Sequence, residues 1–467
     1  MRQYDLAIIG GGAGAFAAAI RANELGANTV VINDGLPLGG TCVNVGCVPS
    51  KTLLHAAELI HTAKHHNVPG IVMTVDTADY AAVVADELAL VAELRDAKYE
   101  KVLSDLDNVT LIKGKASFVS SHQLQVGEKR FDAAKFIIAT GSKAIVPEVD
   151  GLAEAGYITH IEAMSLRTVP ERLAVIGAGP VGLELAQLYA RFGSKVTILQ
   201  KGNRILPIAE PDLTKRLQQI LQDEGLDIKT GVKVTKVMRG DNQKTITYRD
   251  SAGEHSLDID EILLAAGKRP NTAALNLSAI DVKMTERQEV ITEPTLHTSQ
   301  PYIFAIGDVT NLPLRLETTA GKEGTYAVDN ALNSAGKSID YRSVPWAVFT
   351  DPQLSGVGYS EDEQMAELKA CACRTVTFDK LPKALITRRT EGVIKIAIHP
   401  ETRAIMGVHI LAPEASDLIA QAMVLIRNRN TIDDLEEMLP VFPTLAEVIK
   451  LAAMSFTRDI TKMSCCI

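Results

Sequence analysis

Two blocks of this chain share one order of apolar and small residues. In the first, the apolar run Tyr4-Asp5-Leu6-Ala7-Ile8-Ile9 has the length of a strand. It meets Gly10-Gly11-Gly12-Ala13-Gly14-Ala15, then Phe16-Ala17-Ala18-Ala19-Ile20, which reads as helix. In the second, Leu173-Ala174-Val175-Ile176 leads into Gly177-Ala178-Gly179-Pro180-Val181-Gly182 and the helical Leu183-Glu184-Leu185-Ala186. Two further apolar runs, Phe136-Ile137-Ile138-Ala139-Thr140-Gly141 and Ile262-Leu263-Leu264-Ala265-Ala266-Gly267, end in similar glycine turns, each closing one lobe. An alanine- and leucine-rich stretch predicts one long helix from about Asp76 to Asp105. From about Pro345 the pattern becomes strands separated by turns, then helices near 414–428 and 444–458, as in a separate α+β domain. The fold class expected is α/β: two Rossmann-like dinucleotide-binding domains followed by a C-terminal α+β domain.

Each glycine fingerprint sits between strand and helix. There the missing side chains permit a tight turn and let backbone approach a pyrophosphate at the helix N-terminus. Gly10, Gly12 and Ala15 mark the first nucleotide site, and Gly177, Gly179 and Gly182 the second. The second strand of the first unit ends at Asn33-Asp34, and Asp34 stands where an acid accepts hydrogen bonds from a ribose, as in the adenosine half of FAD. The equivalent position of the second unit is Gln200, with Lys201 and Arg204 close behind. No carboxylate there repels a 2′-phosphate and two cations can pair with one, so NADPH is favoured over NADH.

Composition narrows the remaining classes. The chain has 467 residues, 46% hydrophobic and 22% charged, with net charge −9. It has no basic block for nucleic acid, no uncharged apolar run of membrane-spanning length, and no apolar leader before Tyr4. The expectation is a cytoplasmic protein without membrane insertion, and with no separate metal-binding domain ahead of Tyr4. Its six cysteines form three close pairs, Cys42 with Cys47, Cys371 with Cys373, and Cys465 with Cys466. In a reducing compartment such pairs are redox-active or metal-binding more often than structural. Cys42 and Cys47 open a helix expected over about Pro49–His66, whose N-terminus stabilises a thiolate. One dithiol beside a nucleotide site and a second at the chain's end suggest transfer of a soft metal ion between them. Cys371 and Cys373 are expected as bystanders on a loop, and His61 and His65, with His55 and His66 nearby, as a solvated helix face.

Taken together, the Gly10 fingerprint, the segment Cys42 through Lys51, the Gly177 fingerprint with Glu184, and Tyr302-Ile303-Phe304-Ala305-Ile306-Gly307-Asp308 resemble the pyridine nucleotide-disulfide oxidoreductase family. The resemblance covers essentially the whole chain. It implies an FAD-binding domain at 1–150 and 271–340, an NADPH-binding domain at 151–270, and a dimer-forming domain at 341–467. It implies that Gly40, Thr41, Ala116, Thr140, Gly141 and Asp308 contact FAD, Asp308 at the ribityl chain. Lys51 is implied to lie near the flavin and pair with Glu184, with Cys47 the flavin-proximal thiol and Cys42 the exchange thiol of a redox-active disulfide. Members acting on organic disulfides carry His-Pro-Thr-x-x-Glu near the C-terminus, where the histidine moves the proton. Here the segment is Phe442-Pro443-Thr444-Leu445-Ala446-Glu447. Phenylalanine moves no proton, and such assistance is worth about 10²–10⁴-fold. Family members that reduce Hg(II) also lack that histidine and end in a cysteine pair. The expected activity is therefore NADPH-dependent reduction of Hg(II), presented as a thiol complex and delivered by Cys465 and Cys466, in a homodimer. The alternatives are a dihydrolipoamide dehydrogenase-like disulfide reductase and a flavin-bearing protein that sequesters metal without turnover.

Overall fold

The structure is a computed structural model that describes residues 3–464. Strand β1 (Tyr4–Ile9) leads into helix α1 (Ala13–Glu24) and β2 (Thr29–Asn33). Two helices follow in close succession, α2 (Gly40–Val45) and α3 (Cys47–His65). Helix α4 (Tyr80–Arg95) starts at Asp79, whose carboxylate accepts from Ala82 N–H, and the helical path continues through Asp96–Glu100 with wider π-type turns to Lys101–Ser104. The long helix expected over 76–105 is thus present, but starts later at its acidic cap and changes winding after Arg95.

Strands β3 (Val109–Lys113), β4 (Ala116–Ser120), β5 (Gln123–Val126) and β6 (Lys129–Ile138) complete the first sheet, in the order β3-β2-β1-β6-β5-β4. Its central pairings are parallel, and β4-β5-β6 form an antiparallel meander. The second fingerprint connects β7 (Arg172–Ile176) to α5 (Pro180–Arg191). Next come β8 (Lys195–Gln200), α6 (Pro211–Asp223) and β9 (Asp227–Thr230). An antiparallel three-stranded sheet, β10 (Lys233–Arg239), β11 (Lys244–Asp250) and β12 (Gly253–Ile259), precedes β13 (Glu261–Leu264). The second nucleotide sheet has the order β9-β8-β7-β13 and is parallel throughout. Both parallel sheets are covered on two faces, which is why their strands read as unbroken apolar runs.

The chain then returns to the first sheet, where β14 (Ile303–Ala305) pairs in parallel with β6, followed by α7 (Glu317–Asn333). Helices α1 and α7 cross backbone to backbone, since a Cβ added at Gly324 would lie 2.2 Å from the carbonyl oxygen of Gly14. That contact brings the first residue of α7, Glu317, to the end of the sheet that carries the first fingerprint. The last sheet is antiparallel and built from β15 (Trp346–Val348), β16 (Gln353–Gly358), β17 (Ala372–Thr377), β18 (Val393–Ile398) and β19 (Ile405–Ala412), in the order β15-β16-β19-β18-β17. Helices α8 (Glu361–Leu368), α9 (Ala415–Arg427) and α10 (Glu447–Met454) complete it. No helix among the described residues is long and apolar enough to cross a membrane.

Candidate active site

At the first fingerprint three stretches of backbone meet. Gly10 has φ +132°, and a Cβ there would sit 2.2 Å from Ala139 O; Gly40 has φ +60°, and its Cβ would sit 2.6 Å from Gly12 Cα. Only glycine allows both the dihedral and the approach. Helix α1 is capped by Gly12 without a side-chain hydrogen bond, so its first-turn N–H groups stay open for an anion. Asp34 is exposed just beyond β2. Asp308 accepts from the Ser142 hydroxyl at 2.7 Å, and Thr140 donates to Asn271 O at 2.9 Å beside Gly141. Thr41 is half-buried, while Ala15 and Ala116 bury their methyl groups in the core and offer this groove only backbone. Open donors, bare glycine walls and a carboxylate at the ribose position fit FAD.

The second fingerprint repeats the design. Gly177 has φ +110° and its Cβ would fall 2.4 Å from Ala265 O; a Cβ on Gly182 would fall 2.1 Å from Gly177 O, whereas Gly179 faces open space. Helix α5 also begins without a side-chain cap, with Pro180 in its first turn. Gln200 accepts from Ala178 N–H at 3.0 Å and donates to Arg204 O at 3.2 Å, so it braces the turn. Lys201 is exposed. Arg204 is half-buried at the same turn. Its guanidinium donates to the carbonyls of Ala209 (2.9 Å) and Pro207, because this irregular loop leaves those oxygens without backbone partners.

Cys47 is the first residue of α3, two positions earlier than the sequence pattern placed the helix start. Gly46 allows the tight joint with α2, since a Cβ there would lie 2.8 Å from Thr41 O. Cys42 is half-buried, Cys47 exposed, and both are free thiols with their sulfurs in hydrogen-bonding reach. The hydrogen bond from the Cys42 thiol is the main cause that brings Cys47 down to about 7, with the Lys51 ammonium adding to it. The same hydrogen bond, then burial, pushes Cys42 far up. One sulfur is therefore a thiolate near neutral pH while the other keeps its proton. Lys51 is held by Glu184 at 2.7 Å and stands 4.3 Å from the centre of the Phe349 ring; the Phe349 N–H donates to the other Glu184 oxygen at 2.9 Å.

Several residues here escaped sequence analysis. Glu317 raises both thiols electrostatically, Tyr99 feels the charge of Cys42 and Glu317 while its ring packs edge-on against Phe16, and Lys268 faces Asp308 and Cys47. Lys268 follows the glycine turn at Gly267 directly, which was the available signal; Glu317 and Phe349 carried none. A cavity of about 790 Å³ opens beside Lys51, lined also by His55, Arg191, Phe349, Arg389 and Pro443. Phe442 lies on the neighbouring loop, exposed with Leu439 and Val441.

The remaining candidates separate. His61 and His65 stack at 4.3 Å, and His61 Nδ1 lies 3.4 Å from Glu224 beyond α6, while His55 and His65 are exposed, so the face is solvated except at His61. Cys371 and Cys373 are joined in a disulfide, with Cys373 inside β17 rather than on a loop. Cys465 and Cys466 lie outside the described residues.

Residues 4–335 match the family described as pyridine nucleotide-disulphide oxidoreductase, and residues 344–453 match its dimerisation domain. The chain belongs to this family. As a pyridine nucleotide-disulphide oxidoreductase it uses FAD and a reduced nicotinamide dinucleotide. It is similar to a mercuric reductase of Streptomyces lividans, 38% identical over 99% of this chain and 98% of that protein. A mercuric reductase of Staphylococcus aureus is 37% identical over 99% of this chain and 84% of its own length. Among solved structures, the HOCl-induced flavoprotein disulfide reductase RclA from Escherichia coli superposes with a TM-score of 0.86 at 27% identity, over 97% of this chain and all of that one.

Proposed function

We propose that this chain is an NADPH-dependent reductase of Hg(II), taking the ion from a bis-thiol complex and releasing elemental mercury. The observation that carries this reading is a dithiol in two protonation states next to Lys51, in a chain whose His-Pro-Thr-x-x-Glu segment has Phe442 in the histidine's place. Two-electron relay between nicotinamide and dithiol is what bound FAD supplies. The residues do the rest. Cys47 enters the coordination sphere of the incoming ion as a thiolate, displacing one carrier thiolate. Cys42 follows, and its proton leaves on the second carrier thiolate. Departing thiolates accept their own protons, so the exchange needs no histidine. Overall, NADPH, a proton and the Hg(II) bis-thiolate give NADP⁺, elemental mercury and two thiols. Lys51, steadied by Glu184, keeps a positive charge beside Cys47 each time the thiolate is regenerated.

In this proposal 1–150 with 271–340 hold FAD, and 151–270 hold NADPH with Lys201 and Arg204 at the 2′-phosphate. Residues 341–467 form a homodimer. The exposed Leu439, Val441 and Phe442 fit a surface covered by a second copy, and Cys465 and Cys466 serve as the collecting pair. Purified, FAD-loaded protein with NADPH and a small excess of thiol provides the test. Nicotinamide absorbance is followed before and after Hg(II), with volatile mercury trapped. Mercury-dependent NADPH oxidation with release of the element is the expected result. Consumption only with lipoamide or glutathione disulfide would replace the proposal with the disulfide reductase that the likeness to RclA favours. Stoichiometric metal uptake without NADPH consumption would make the chain a sequestering protein.

A further inference from the structure

Away from the active site, one constellation among the described residues brings metal-ligating atoms together: Glu361, Cys371 and Cys373, whose ligand atoms all lie within 4.8 Å of one another. We propose that this is a second, redox-gated metal site, closed by the Cys371–Cys373 disulfide and opened on reduction to take a thiophilic divalent cation of the zinc–cadmium class. Three donors in that span suit a four-coordinate ion with bonds of about 2.0–2.3 Å and one position open to water. Two thiolates select a soft or borderline ion, and the carboxylate favours cadmium or zinc over an ion content with two sulfurs.

Two independent features support the site. The first is Gln364, fully buried on α8, which donates from Nε2 to Ile398 O at 2.6 Å. Its carbonyl oxygen points at Cys373 Sγ, 3.7 Å away. A disulfide sulfur has no hydrogen to give, so this buried acceptor favours opening of the disulfide to the Cys373 thiol, the step that precedes binding of the ion. The second is charge. Lys395, almost wholly buried on β18, meets Glu361 at 2.5 Å, Glu210 at 2.9 Å and Asp212 at 3.5 Å. Three carboxylates share one ammonium, so the cluster is net negative, and Glu361 is its member within reach of the sulfurs.

The chemistry balances with a small thiol as reductant. Two thiols become one disulfide while the Cys371–Cys373 bond takes up two electrons and two protons. The incoming M²⁺ then displaces both protons and binds two thiolates and the Glu361 carboxylate. Cys371 and Cys373 are half-buried, open to both reagents.

Full-length, FAD-loaded protein is reduced anaerobically with dithiothreitol, desalted and incubated with excess Cd(II). Iodoacetamide labelling is then read cysteine by cysteine by mass spectrometry. Cadmium should slow labelling of Cys371 and Cys373 at least about tenfold in the unmutated chain, a comparison that needs no variant. Glu361→Gln should lose that protection at Cys371 and Cys373 and keep it at Cys42 and Cys47. Equal labelling with and without cadmium, a pair that stays disulfide-bonded after dithiothreitol, or unchanged protection in Glu361→Gln would each overturn the site.

Discussion

Replacing Cys42 with alanine probes the electrostatics of the dithiol most directly. Cys47 sits at about 7 against an ordinary 9.0, and the leading cause is the hydrogen bond from Cys42. A drop of that size takes the thiolate at pH 7 from about one molecule in a hundred to about half. Cys42→Ala removes the donor and leaves only the smaller help of Lys51 and the start of α3 against burial and, after it, the opposing charge of Glu317. The apparent pKa of Cys47 should rise, and its alkylation by iodoacetamide at pH 7 should slow at least about fivefold. The difference should narrow as pH rises toward 10, where the variant's thiol also ionises. The assay reduces the protein, desalts it anaerobically and measures labelling of the peptide containing Cys47 from pH 5 to pH 10, so the other cysteines do not interfere. An unchanged or lower apparent pKa in the variant would refute the assignment of the Cys42 hydrogen bond as the main cause.

Glu317→Gln should act the other way, lowering the apparent pKa of Cys47 in the same assay, because its carboxylate opposes the thiolate. Glu184→Gln leaves the Lys51 ammonium with a neutral acceptor and should cost about 1–3 kcal/mol in denaturant unfolding; no loss would mean the ion pair is structurally idle. Glu87 is fully buried, has no hydrogen-bond partner for either oxygen, and is pushed up to about 7 by desolvation. Its folded value exceeds its unfolded one, so the native state holds the proton longer. Stability is full below about pH 4.5 and falls as pH rises through 7, by about 3 kcal/mol at most. Glu87→Gln should therefore gain in thermal midpoint relative to the parent between pH 5 and pH 8, and a constant difference would contradict this. Phe442→His should raise turnover of lipoamide or glutathione disulfide by about tenfold or more if a proton mover is what the site lacks.

What could be read from the sequence was what local backbone demands. Gly10 and Gly177 must be glycine because of positive φ and a carbonyl closer than a Cβ allows, so the two fingerprints announce themselves. Cys47 at a helix start is a local statement too. Phe349 reaches Lys51, and Glu317 the thiols, only through long-range packing, and nothing near them in the chain marks that convergence. Spacing offered Arg204 as a phosphate partner but did not reveal that its guanidinium also braces carbonyls of its own loop. Cys371 and Cys373 lie ten and twelve residues beyond Glu361, but the sequence did not show that the turn after α8 folds them back to within 4.8 Å of it.

Glu184 has a consequence for how the molecule comes into being. Its two oxygens bind Lys51, 133 residues earlier, and the backbone of Phe349, 165 residues later. A nascent chain that has only just emerged past α3 possesses both cysteines but has no carboxylate to hold the amine beside them. The clamp on Lys51 can therefore close only once the chain has passed residue 184, and its carboxylate gains a second hold only when the backbone of Phe349 has docked.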